Sequence, residues 1–83
     1  MNFLKQEKTT EQIQKSISAC FDSVKLINET ITKPKTEKTS DLVERNYKHC
    51  EVMLSKDWFV GGLTGTQKTD IETAVASAKT YVA

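Results

Sequence analysis

Apolar side chains recur at steps of three and four from Ile13 to Ile31, through Ile17, Cys20, Phe21, Val24 and Ile27. That spacing lines one stripe of an α-helix, whereas a half-buried strand would alternate every second residue. It predicts a helix over about residues 10–32. Thr9 stands three residues before Gln12, the spacing of a capping box, in which the threonine oxygen accepts from an otherwise unpaired N–H of the first turn. Pro34, the single proline, ends the pattern, and Lys33 lies where a cation suits the C-terminal dipole.

The stretch TKPKTEKTS (Thr32 to Ser40) has no apolar side chain and reads as a solvated linker over residues 33–40. A second helix is expected over about residues 41–60, with Ser40 as N-cap and Asp41 in its first turn. Its main stripe is Val43, Tyr47, Cys50, Leu54 and Trp58. Leu42, Asn46, His49 and Met53 form a half-polar stripe beside it. GGLTG (Gly61 to Gly65) is the second break: Gly61 is expected to close the helix in the left-handed conformation, with Leu63 folding back on the last turn. A third helix follows over about residues 65–82, capped by Thr64 with Gln67, its stripe running through Ile71, Val75, Ala78 and Val82. No sustained alternation and no Asn-Gly or Asp-Gly turn signals a strand. The expected fold is all-α, a single domain over residues 1–83 forming an up-down-up three-helix bundle.

A chain of 83 residues buries only about 60% of the surface its unfolded form exposes, so its core is thin and self-association would help it. Lys and Arg total 12, Asp and Glu total 11, and the net charge is +1. That balance argues against a dedicated nucleic-acid or membrane-surface protein. No segment has the run of apolar residues that a membrane span needs, and the opening MNFLKQEKTT lacks the apolar stretch of a signal peptide. A cytoplasmic location is expected. In a reducing compartment Cys20 and Cys50 would be free thiols acting as small apolar residues. If oxidised, a disulfide between them would add about 3 kcal/mol.

Motifs for chemistry are weak. VGGLTGTQKT superficially resembles a phosphate loop, but Gly65 is followed by Thr66 and Gln67, so no lysine stands where the phosphates would need it. His49 adjoins Cys50, yet neighbours on a helix diverge by about 100° and cannot form a nucleophile–base pair. Cys20, Cys50 and His49 include no ligand pair at the usual zinc spacing. Asp41, Glu44, Asp70 and Glu72 sit in first turns, where negative charge suits the dipole, and Glu44 with Lys48 is an i,i+4 surface pair. No catalytic residue, metal, cofactor or small-molecule substrate is expected. The functional expectation is a protein–protein contact, with self or another protein. Trp58 continues the core stripe, while Phe59 is rotated about 100° away from it. Met53, Phe59 and Val60 are therefore the expected partner-binding surface. The alternative is a minor nucleic-acid-associated protein using Lys33, Lys35 and Lys38.

The segment Arg45-Asn46-x-x-His49-x-x-x-Met53-Leu54-x-Lys56-Asp57-Trp58, followed by a short turn and an alanine-rich helix ending Ala78-Lys79-Thr80-Tyr81-Val82, resembles small uncharacterised proteins encoded by large tailed bacteriophages, marine ones especially. The resemblance covers the C-terminal half of the chain. It implies no activity. It implies a phage-borne accessory protein, either a virion component or a factor acting on a host protein.

Overall fold

The computed structural model describes residues 8–83. The reading of the opening stretch as free of a signal peptide falls largely on residues 1–7, outside the described residues. The described residues form four helices packed together: α1 (Thr10–Thr30), α2 (Glu37–Leu54), α3 (Asp57–Val60) and α4 (Gly65–Val82). None of them is a strand. None of the helices is long and apolar enough to cross a membrane.

Local hydrogen bonding starts three of these helices as the residue spacing requires. Thr9 Oγ1 accepts from Gln12 N–H at 3.1 Å, and Gln12 Oε1 accepts from Thr9 N–H at 2.9 Å. Thr64 and Gln67 repeat the reciprocal pair at 3.0 and 2.9 Å. The start of α2 corrects the expected Ser40 cap. Thr36 is the N-cap, paired reciprocally with Thr39, and Glu37 occupies the first turn. A Thr-x-x-Thr box satisfies the same orphan donors one turn earlier, so residues 37–40 are helical and the linker ends at Thr36. Thr64→Ala should cost about 1 kcal/mol, and Thr64→Ser much less, because only the hydroxyl serves the cap. Urea midpoints of the two variants check this.

The C-terminal side of α2 departs further from expectation. The helix stops at Leu54, and Ser55 closes it with its N–H on Glu51 and Val52 carbonyls and its hydroxyl on Val52 O. Lys56 is extended, with φ −102° and ψ 119°. A new turn then begins, with Phe59 and Val60 N–H donating to Lys56 O. The helix expected over about residues 41–60 is thus two helices joined by an extended residue. Gly61 is not left-handed: its φ is −64°, and no glycine among the described residues has positive φ. The turn closes without any left-handed residue.

The core is built from Ile17, Cys20, Val24 and Ile27 of α1, Val43 and Cys50 of α2, Phe59 of α3, and Ile71, Ala74, Val75 and Ala78 of α4. Phe21 is only half-buried at its edge. At one end, Gly62 lies against Ile13 and Ile17. At the other, the Tyr81 hydroxyl reaches Lys33 O at 3.0 Å and Thr39 Oγ1 at 2.9 Å. Lys79 pairs with Glu51, tying α4 to α2, and this partner holds the lysine pKa above its ordinary value.

Candidate functional site

The expected partner surface of Met53, Phe59 and Val60 does not survive as a unit. Phe59 is fully buried, with 0% of its surface exposed. Met53 is half-buried and packs on the core. Val60 is half-buried. Trp58, expected in the core, is half-buried at its margin, its ring edge-on to Phe59 with centroids 6.1 Å apart and Lys8 Nζ 5.1 Å from its centre. The two aromatics have exchanged the roles that a continuous helix would assign. The extended Lys56 is the cause, because it resets the helical phase one residue before Asp57.

The three lysines of the alternative reading occupy different settings. Lys33 and Lys35 lie in the connection between α1 and α2, and Lys35 Nζ donates to Ala83 O at 2.9 Å. Lys38 belongs to the first turn of α2. Lys48, which would extend a basic face, holds Glu44 at 3.1 Å.

Two other features carry more chemistry. The first is an open cleft of about 530 Å³ between α1 and α4, lined by Phe21, Val24, Lys25, Asn28, Glu29, Asp70, Thr73 and Ala74. It exists because the α4 side of this contact is built from the small residues Thr73 and Ala74, which do not fill the space beside the half-exposed Phe21 ring. The floor is apolar. The rim carries one cation and two anions: Lys25 and Glu29 on α1, and Asp70 in the second turn of α4, whose first turn holds no acidic residue, contrary to the expected first-turn placement. Among the described residues none of these three belongs to an ion pair. The heptad spacing of Phe21 and Asn28, with Lys25 between them, marks this face of α1 in the sequence. That Ala74 would leave it open is not marked there.

The second feature is the pair Cys20 and Cys50. Both are fully buried, and their sulfurs lie 3.5 Å apart between α1 and α2. Cys50 Sγ also lies 3.8 Å from Cys20 O. The Cys20 sulfur against it and its burial push the Cys50 pKa above the usual thiol range. The expected burial of both thiols holds, and the structure adds their contact. Among the described residues no group of three His, Cys, Asp or Glu side chains is arranged to hold a metal ion.

No family model, curated protein or solved structure matches this chain.

Proposed function

We propose that this chain is a small non-enzymatic protein–protein interaction or structural accessory protein that associates with a second copy of itself through the α1–α4 cleft. The observation that carries the reading is the cleft's make-up: an apolar floor of Phe21, Val24 and Ala74 inside a rim of unpaired charges of both signs. An apolar centre with a polar rim is the anatomy of a protein interface. The rim suits a two-fold pairing in particular. In an isologous contact the same patch meets itself, and the register that sets Lys25 of each copy against Asp70 and Glu29 of the other is the one that brings opposite charges together. Such rim pairs fix register and partner choice more than they add affinity. The thin core of an 83-residue chain adds a stability gain from association.

In this reading α1, α2 and α4 run up, down and up, with α3 as a corner. The contacts of Gly62 with Ile13 at one end and of Tyr81 with Lys33 and Thr39 at the other support that arrangement. The resemblance of residues 45–82 to proteins of large tailed bacteriophages supports a phage-borne role, with the protein in the host cytoplasm or in the virion, as a component of it or a binder of a host factor.

Sedimentation equilibrium tests the self-association. The wild type should show a concentration-dependent dimer, and Lys25→Glu should shift it to monomer without lowering helix content. Adding Glu29→Lys and Asp70→Lys to Lys25→Glu restores opposite charges across the two-fold and should restore the dimer. A wild type that stays monomeric into the millimolar range would overturn the reading.

A further inference from the structure

The thiol pair takes no part in that surface, and both its members are sealed in the core. We propose that Cys20 and Cys50 are an oxidation site of the folded protein, closing to an intramolecular disulfide that pins α1 to α2. The geometry carries this. The sulfurs are 3.5 Å apart, and a disulfide brings them to about 2 Å, a closure that two facing side chains can share. These are the only cysteines in the chain, so each thiol has a single intramolecular partner. Thirty positions separate them, and the fold alone brings them together.

A peroxide is a sufficient oxidant, and it is small enough to enter on brief opening of a thin core. The Cys20 thiolate attacks one peroxide oxygen and breaks the O–O bond. Cys20 becomes a sulfenic acid, and the other oxygen leaves as water with the thiol proton. The Cys50 sulfur then attacks Cys20 Sγ and displaces hydroxide, which takes the Cys50 proton and leaves as a second water. Two electrons pass from the thiol pair to the peroxide. Cys20 is the better first nucleophile, because the Cys50 thiol beside it stabilises its thiolate and lowers its pKa. The sulfenic acid meets its resolving thiol at once, in a pocket that excludes larger thiols. The cross-link would constrain the unfolded chain across a loop of this length and raise the melting temperature by roughly 10–25 °C.

The test uses the intact reduced chain under native conditions. Hydrogen peroxide at low excess should produce a monomer lighter by two hydrogens, with a Cys20–Cys50 link in peptide maps, a higher melting temperature, and full reversal by a thiol reductant. A bulky alkylating reagent should leave both thiols unmodified over the same period. Cys20→Ser and Cys50→Ser should form no such monomer, and sulfenic acid should collect on Cys20 in Cys50→Ser far faster than on Cys50 in Cys20→Ser. The proposal is overturned if peptide maps of the native wild type place added oxygen on Cys20 or Cys50 instead of a link between them. It is equally overturned if the link forms only in denaturant, if it joins two chains, or if it lowers the melting temperature.

Discussion

Phe59→Ala is expected to lose about 3–5 kcal/mol, the usual range for emptying a large buried aromatic site. Phe59 is the largest fully buried side chain in the described residues, and it comes from a helix of only four residues. Its ring anchors α3 to the core, so its removal frees the corner as well as leaving a cavity. Domains of this class have about 5–15 kcal/mol in total, and a thin core puts this one toward the low end. The variant should be substantially unfolded near room temperature, as read by circular dichroism and urea titration. Trp58→Ala should be clearly milder, because the indole is half exposed and one of its contacts is the solvent-side Lys8 amine. A Trp58 variant less stable than the Phe59 variant would show that the phase of α3 is wrong.

Gly62→Ala should cost about 1–3 kcal/mol, as overpacking of a close contact does. A Cβ at this position would stand 2.6 Å from Ile13 Cγ2, with Ile17 Cδ1 behind it at 3.6 Å. Ile13 cannot easily swing aside, because β-branched side chains on a helix have one strongly preferred rotamer. The backbone is not the reason for the glycine, since no glycine in the described residues has positive φ. The reason is close approach of the α3–α4 turn to α1. The corresponding check is a double-mutant cycle. Ile13→Ala should remove most of the penalty of Gly62→Ala, giving a coupling of about 0.5–3 kcal/mol. Additive losses would place the turn elsewhere. Gly65→Ala makes a useful control, because a Cβ there meets nothing within 4 Å.

The two glycines of the turn show how a correct local reading can carry the wrong reason. Gly61 and Gly62 mark a chain reversal in any reading of the sequence, and the reversal is there. The expected left-handed Gly61 is not, and the demanding position is Gly62, whose constraint comes from a side chain some fifty residues away. A missed cap at α2 is of another kind. Thr36 follows Pro34 by two positions and precedes Glu37, so the start signal was present. It was masked by the equally good Ser40 and Asp41. Either set has the chemistry to satisfy first-turn donors, and only Thr36 with Thr39 does so in the structure.

The position of the proposed contact was not legible in the sequence: a thin core and balanced charge favour association of an 83-residue helical chain, but they do not say which face would take part. One helix running to Val60 would leave Met53, Phe59 and Val60 on a shared surface, but the single extended residue Lys56 breaks that helix and turns Phe59 inward. The cleft beside Phe21 was hidden for a different reason. A cleft is the space that two elements fail to fill, and the sequence of α1 does not say that Thr73 and Ala74 face it.

What the sequence alone determined is the part governed by interactions within a few residues. The stripe from Ile13 to Ile31 specifies α1. Thr9 with Gln12 and Thr64 with Gln67 specify where two helices begin, because the donors they satisfy are three residues away. Leu26, off the stripe, is 41% exposed, as its phase requires. Tertiary structure decided which of two adjacent aromatics enters the core, which glycine cannot bear a Cβ, and that the two thiols touch. Each of these depends on residues far apart in the chain meeting across helices. Helical periodicity repeats along one axis and holds no information about the distance to the next.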